Sequence, residues 1–139
     1  MNEKFDISFA DLKHKEQPCN YIPLGIARVA ATAMTRFEDI FEAEVFKSPF
    51  DYQDYLKKRT PKIACFSNYI WNTNISCQFA KRIKKENSET IIVFGGVNYP
   101  VDPIEQEQFL KEHPEIDFYI FRDGEKPFIE LVNQILLYD

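Results

Sequence analysis

Short polar side chains gather in one stretch of the sequence, around the chain's only tryptophan. The segment "FSNYIWNTNIS" (66–76) contains Ser67, Asn68, Tyr69, Trp71 and Asn72. Such side chains orient a bound molecule by hydrogen bonds while the ring adds apolar surface, which is typical of a site for a large amphipathic ligand. Two simpler interpretations stay open, because either asparagine could cap a following helix and Trp71 could cover the core.

Three of the chain's glycines follow apolar segments of the sequence. The chain has four glycines, and "IIVFGGVNYP" (91–100) puts Gly95 and Gly96 together, followed by Val97 and Asn98. Gly124 follows the last apolar run in the same way. Glycine permits positive φ and lets a flat molecule approach bare backbone. A tight turn would explain any one of these glycines, but the set favours a ligand surface.

Asp123 and Glu125 stand on either side of Gly124 in "FRDGEKPF" (121–128), just before a predicted helix. A carboxylate is stabilised at the positive end of a helix, so a capping role for Glu125 is favoured over catalysis. We expect His14 and His113 to face solvent, since neither stands at the spacing of a metal site or a catalytic triad.

Several nucleotide-binding signatures are absent from the sequence. No G-x-x-x-x-G-K-[ST] occurs, and no G-x-G-x-x-G follows the first apolar segment, which excludes P-loop chemistry and a dinucleotide fingerprint. The loop "ADLKHKEQPCNYIP" (10–23) has no Ser/Thr-Gly phosphate nest, which disfavours a flavodoxin. It also lacks the clustered carboxylates with which a phospho-receiver holds magnesium.

The bulk composition predicts one folded domain over residues 1–139. The net charge is −5 and the basic residues are scattered, which argues against a nucleic-acid partner. No apolar run approaches the ~20 residues of a membrane span, so no membrane partner is expected. Cys19, Cys65 and Cys77 contain no C-x-x-C pair and cannot by themselves form a disulfide framework or a closed zinc site, so we expect a reducing, cytoplasmic setting.

Apolar segments of strand length alternate with helical patterns along the whole chain. This alternation predicts an α/β fold, a flavodoxin-like doubly wound five-stranded parallel sheet (order 2-1-3-4-5) with helices on both faces. The alternating acids of "FEAEVF" (41–46) indicate an edge strand. The predicted strands cover 4–10, 41–46, 62–67, 90–94 and 117–121, and the helices cover 23–37, 51–59, 72–87, a segment starting at Asp102-Pro103, and 126–137.

These residues resemble the N-terminal cobalamin-binding domain of cobalamin-dependent radical SAM enzymes. The resemblance covers nearly the whole chain and rests on four segments in the family's order: "PLGIARVAA", "ACFSNYIWN", "IIVFGGVNYP" and "HPEIDFYIFRDGEKPFIELV". In that family the strands end in Ser-x-x-x-Trp-Asn, Gly-Gly-Pro and Gly-Glu-Gly-Glu or near relatives. The first motif fits well, whereas Val97 replaces the proline of the second and Asp123 departs from the last.

The resemblance implies that the domain holds cobalamin at the carboxyl edge of the sheet. It implies no histidine lower ligand, because D-x-H-x-x-G is absent. The partner implied is a radical SAM catalytic domain, in methyl transfer or related chemistry, and this chain would be the N-terminal part of a longer protein or a free-standing relative. The implied cofactor-binding residues are Ser67, Asn68, Tyr69, Trp71, Asn72, Gly95, Gly96, Val97, Asn98, Asp123, Gly124 and Glu125.

S-adenosylmethionine and an iron–sulfur cluster would belong to the catalytic domain alone, because this sequence has no C-x-x-x-C-x-x-C. No activity is therefore expected from this domain by itself. Two other interpretations remain. One is a flavodoxin-like interaction or regulatory domain that has lost the cofactor. The other is an independent flavodoxin-like enzyme, which ranks last because no nucleophile–base pair or phosphate loop is present.

Overall fold

The fold is a parallel sheet built from five β-α units, seen in a computed structural model that describes residues 4–14 and 22–138. The strands are β1 (Phe5–Ala10), β2 (Phe41–Phe46), β3 (Ile63–Ser67), β4 (Ile91–Gly95) and β5 (Phe118–Ile120). The helices are α1 (Leu24–Phe37), α2 (Pro49–Leu56), α3 (Thr73–Glu86), α4 (Pro103–Glu112) and α5 (Glu125–Tyr138).

The strands lie in the order β2-β1-β3-β4-β5, and all four neighbouring pairs are parallel. The predicted fold class and strand order are thereby confirmed. In this order the direction of winding reverses between β1 and β3, and ligands of open α/β sheets bind beside such a reversal.

Two apolar layers enclose the central strands. β3 is buried at every position, as expected for a parallel strand covered on both faces. Because strand side chains alternate, Ala64 and Phe66 pack towards α2 and α3, while Ile63 and Cys65 pack towards α1 and α5. An uninterrupted apolar sequence is therefore required here.

Helix starts follow the local capping chemistry. Asp102 accepts hydrogen bonds from the backbone N–H groups of Ile104 and Glu105, and α4 begins at the position that the sequence predicts. The prediction for α2 (51–59) is displaced, since that helix covers Pro49–Leu56. Ser48 caps it by accepting from the Asp51 N–H, and proline fits the first helical position.

β2 forms one edge of the sheet, as its sequence pattern predicts. Glu42 and Glu44 are exposed on this strand, whereas Phe41 and Phe46 at its two ends are buried. Arg59 pairs with Glu42 and with Asp6 of the adjacent β1.

Within residues 4–14 and 22–138, no helix has the length and apolarity that crossing a bilayer would require.

Candidate functional site

The three strands behind the candidate residues end at the same level of the sheet. Ser67, the last residue of β3, pairs in register with Gly95 of β4, and Gly95 pairs with Ile120 of β5. Every loop that leaves these strands therefore begins at one edge. The polar segment after β3 and the glycines after β4 and β5 meet there, as the sequence predicts.

A cavity of about 280 Å³ opens at this edge, between the strand ends and the first turns of α1 and α5. Its volume is near the lower limit of small-molecule pockets, about 300 Å³, so it has room for part of a large ligand. Eight of the twelve candidate residues line it: Ser67, Tyr69, Gly95, Gly96, Val97, Asp123, Gly124 and Glu125.

Asn68 does not line the cavity and lies behind its wall. It is fully buried, and its side-chain amide donates to the Asn98 carbonyl at 2.7 Å and to the Tyr119 hydroxyl at 3.2 Å. Its side-chain oxygen accepts from the Thr73 hydroxyl at 2.7 Å, and Thr73 also receives a bond from the Asn98 amide. The Tyr119 hydroxyl in turn donates to the Gly96 carbonyl at 3.0 Å.

Asn72 belongs to the same buried layer. Its side-chain oxygen accepts from the Tyr69 N–H at 2.8 Å, and its amide donates to the Asp11 carboxylate at 3.2 Å. Asn72 stands at the N-cap position of α3, but its side chain does not cap that helix. We call Asn68, Asn72, Thr73, Asn98 and Tyr119 the asparagine network; it joins the loops that follow β3 and β4 to β5.

Asn68 and Asn72 are fully buried, and the other three members of the network are partly buried. Burial raises the pKa of Tyr119 to about 12 and raises the pKa of Asp11 above its ordinary value. Asp11 is 4% exposed, so the Asn72 amide bonds to a carboxyl group that is poorly solvated. These groups hold the loops in place and do not line the cavity.

Trp71 forms part of the rim and does not cover the core. Its ring stacks on Tyr69, with centroids 4.7 Å apart and planes 6° from parallel. The tryptophan is 41% exposed, whereas Tyr69 lines the cavity. The pair therefore continues the cavity wall outwards as a flat aromatic surface.

The glycines serve two different purposes. Gly96 has φ +122°, and a Cβ there would lie 2.7 Å from the Asn68 carbonyl oxygen. At Gly95 a Cβ would lie 3.1 Å from the Ile120 carbonyl oxygen, and at Gly124 3.1 Å from a methyl group of Val29. These three glycines allow protein segments to approach one another, an explanation that requires no ligand although all three line the cavity.

Gly25 is the glycine that leaves open space. It is the second residue of α1 and lines the cavity, and the nearest atom to a Cβ there would be the Tyr69 hydroxyl at 3.9 Å. The candidate set did not include Gly25. A glycine in the first turn of a helix that begins at the ligand edge was the available signal, because glycine is unfavourable within helices.

Charged groups surround the mouth of the cavity. Arg28 of α1 pairs with Glu125 at 2.9 Å, and Glu125 is the first residue of α5. Arg122 adopts φ 68°, in the left-handed region that non-glycine residues seldom occupy. Neither arginine was predicted from the sequence, since single basic residues carry no distinctive pattern.

Exposed apolar side chains extend the surface around the cavity. Ile70, Val97 and Val101 are 83%, 83% and 89% exposed, and all three lie in loops that follow β3 and β4. A partly enclosed cavity beside such a surface suits a ligand with one inserted end and one broad apolar face. This arrangement fits cobalamin, which combines a nucleotide tail with a wide corrin ring.

The fold and the cavity define a flavodoxin-like ligand-binding domain. The chain matches the family model of the B12 binding domain over residues 19–132. It therefore belongs to the B12 binding domain family, whose ligand is cobalamin, and the sequence resemblance is confirmed.

Two relatives match part of this chain. One is the cobalamin-dependent radical SAM methyltransferase TokK of Streptomyces tokunonensis, 31% identical over 72 residues, which cover 52% of this chain and 10% of that protein. The other is the 2-(S-pantetheinyl)-carbapenam-3-carboxylate methyltransferase of Streptantibioticus cattleyicolor, 29% identical over 76 residues, covering 55% and 11%. The match thus spans about a tenth of the length of each relative.

Solved structures share the fold at low sequence identity. A cobalamin-binding protein from Desulfitobacterium hafniense DCB-2 superposes with a TM-score of 0.66 at 15% identity, covering 94% of this chain and 58% of that one. The orphan response regulator HP1043 of H. pylori gives 0.62 at 15% identity, covering 94% of each chain. These likenesses concern the fold alone.

Proposed function

We propose that this domain holds cobalamin at the carboxyl edge of β3, β4 and β5 for a radical SAM catalytic domain that transfers methyl groups. The observation that carries the proposal is the cavity with the bare backbone of Gly25 on one side and Tyr69 on the other. Membership of the B12 binding domain family supplies the ligand.

The residues of the wall and rim have separate roles in this proposal. Ser67, Tyr69 and Gly25 surround the inserted tail of the cofactor, while Trp71 and Val97 lie against its apolar periphery. The asparagine network holds the loops in place behind this wall. Cobalamin supplies methyl-transfer chemistry at its cobalt, and this domain contributes binding and exclusion of water.

We further propose that no histidine of this chain binds the cobalt. The sequence contains two histidines, and neither lines the cavity. His14 is exposed in the loop after β1, and His113 is partly buried where α4 ends. The expectation that both face solvent agrees with the exposed His14, and His113 keeps 25% of its side chain exposed at the end of α4.

A covering partner is proposed from two observations. The apolar edge at Ile70, Val97 and Val101 is exposed, and the relatives are about ten times as long as the segment they share with this chain. S-adenosylmethionine and the iron–sulfur cluster would belong to that partner.

A reducing, cytoplasmic setting fits the free thiols of Cys65 and Cys77.

Reconstitution with hydroxocobalamin tests the binding site. The chain is incubated with the cofactor and desalted, and its visible spectrum is recorded; we expect about one cobalamin per chain. Gly25→Leu places a side chain in the cavity, and we expect it to retain at least tenfold less cofactor at an unfolding free energy within about 0.5 kcal/mol of wild type. Gly25→Ala is the matched control and should retain cobalamin. If Gly25→Leu retained as much cobalamin as wild type, the binding site would have to lie elsewhere.

The proposed lack of a histidine ligand has a spectroscopic test. Reduced Co(II) cobalamin bound to the chain should show no nitrogen hyperfine splitting in its electron paramagnetic resonance spectrum. His14→Ala should give the same spectrum as wild type. Nitrogen splitting that disappears in His14→Ala would overturn this part of the proposal without affecting cofactor binding.

A second candidate function is an interaction domain that has lost the cofactor. It is favoured by Gly95, Gly96 and Gly124, whose missing side chains are accounted for by neighbouring protein groups, and by the replacement of the family's proline with Val97. A colourless wild-type chain after reconstitution would support this candidate. Retained cobalamin absorbance would reject it.

A further inference from the structure

Three potential metal ligands meet on the face of the sheet that α3 and α4 cover. Cys77 lies in α3, His113 directly follows α4, and Glu115 lies in the segment that leads into β5. One ligand atom from each lies within 4.8 Å of the others. Cys77 and Glu115 are each 5% exposed, and the His113 side chain is 25% exposed, so the cluster is buried with one partly open side.

Two of the three separations between the ligand atoms are close to those expected for coordination of a single ion, and the third is at most 4.8 Å. Zinc bonds of about 2.3 Å to sulfur and about 2.0 Å to nitrogen or oxygen, arranged as a tetrahedron, separate sulfur from nitrogen by about 3.5 Å and nitrogen from oxygen by about 3.3 Å. Here the Cys77 Sγ lies 3.7 Å from the His113 Nδ1, and that nitrogen lies 3.4 Å from the Glu115 Oε1.

The second carboxylate oxygen of Glu115 provides an independent observation. Oε2 is buried and makes no hydrogen bond to any residue that the structure describes. A buried carboxylate oxygen without a partner is costly, and a cation at the cluster would remove that cost. The nearby cation is Lys81, whose Nζ lies 3.9 Å from Oε1 on a side chain that is 63% exposed.

The ligand types select the metal. A thiolate, an imidazole and a carboxylate together carry a charge of −2 and suit borderline-soft Zn²⁺, with water in the fourth position. The centroid of the Phe109 ring lies 4.5 Å from the centroid of the His113 imidazole, and this packing restricts the orientation of the imidazole. Burial raises the pKa of the metal-free Cys77 thiol to about 11, so a metal ion has to displace that proton.

We propose that Cys77, His113 and Glu115 bind one zinc ion that ties α3 to the segment between α4 and β5. In this part of the sheet α4 contains no buried residue and β5 has three residues, so the ion would add a second link to α3 beside the Lys84–Asp117 ion pair at 2.7 Å. The ion connects it to α3, which packs firmly through Ala80 and Ile83. The cysteines alone predict no zinc site, because the two other ligands come from 36 and 38 positions further along the chain.

The test uses the full chain without cobalamin and without an affinity tag. Metal-free protein is loaded with Zn²⁺, passed through a gel-filtration column and measured by elemental analysis; we expect one zinc per chain. Co²⁺ loading should give the visible bands of a tetrahedral site together with a sulfur-to-metal band. Zinc should also raise the midpoint of thermal unfolding, because it binds the folded state.

Variants identify the ligands. Cys77→Ser and His113→Gln should each bind zinc at least about 100-fold more weakly than wild type, since even residues beyond the ligands change metal affinity by that order. Cys19→Ser, Cys65→Ala and His14→Gln are matched controls and should bind as wild type does. Far-ultraviolet circular dichroism checks that each variant is folded. A wild-type chain that emerges without zinc, or unchanged affinity in folded Cys77→Ser, would overturn the proposal.

Discussion

The cavity wall and the asparagine network lie side by side at the same edge of the sheet, yet they differ in what their polar groups contact. Ser67 and Tyr69 reach the cavity, whereas Asn68, between them in sequence, is fully buried and bonded to other loops. Side chains of similar chemistry thus face either a ligand space or the protein. The difference follows from strand alternation continuing two residues past β3, which ends at Ser67.

The comparison shows that a polar cluster at a ligand edge divides into two layers. A wall can contact a ligand only if its loops are fixed, and short amide side chains fix them by bonding to backbone carbonyls that would otherwise be unsatisfied. The wall is expected to control binding, and the network is expected to control stability. The Gly25 variants test the first expectation through cobalamin retention, and the predictions below test the second through unfolding.

The largest effect is expected for Asn68→Ala. This change removes three hydrogen bonds and leaves the Asn98 carbonyl without its amide donor, which should lower the unfolding free energy by about 3 kcal/mol. Urea unfolding measures the loss. Asn74→Ala is the control, because Asn74 is exposed on α3 and should change stability by less than about 0.5 kcal/mol. If both variants lost a similar amount of unfolding free energy, the buried asparagine would contribute no more to stability than an exposed one.

Gly96→Ala should have an intermediate effect. Its φ of +122° is strained for alanine, and the new methyl group would lie 2.7 Å from the Asn68 carbonyl oxygen, so we expect a loss of roughly 2 kcal/mol. Gly25→Ala is the paired control, with open space at the cavity and a helical backbone, and should be neutral or slightly stabilising. Thermal or urea unfolding distinguishes the two. Equal stability of the two variants would mean that the backbone at Gly96 does not require glycine.

The smallest effect is expected for Asp11→Asn. Burial raises the pKa of Asp11, so folding favours the protonated carboxyl, and wild type loses this contribution as the pH rises through that raised pKa. Asparagine keeps an oxygen for the Asn72 amide and carries no charge. The variant should therefore gain stability relative to wild type between pH 4 and pH 7, by less than about 1 kcal/mol. A constant difference across that range in urea unfolding would contradict the assignment.

Most of the fold is predictable because apolar and polar residues recur along the sequence with the periods of strands and helices. The apolar run of β3 and the acidic alternation of β2 specify a central strand and an edge strand without further information. The start of α2 was misplaced by two residues, because Ser48-Pro49 was not recognised as a cap followed by a first-turn proline.

The position of the site was predictable, and the division of its residues was not. Parallel strands place the segments after β3, β4 and β5 at one edge, so Gly95 and Ser67 could be brought together from topology alone. Whether Asn68 faces the cavity depends on hydrogen bonds to Asn98 and Tyr119, which lie 30 and 51 positions away. Sequence patterns carry no signal at that separation, and the roles of the twelve candidates in cofactor binding stay predictions.

The acidic edge strand has a practical consequence for the isolated domain. Any strand that added to β2 would have to approach Glu42 and Glu44, and a second copy of this chain would bring the same charges with it. At the opposite edge, β5 offers three residues for pairing. Both margins thereby resist the growth of continuous sheets between molecules.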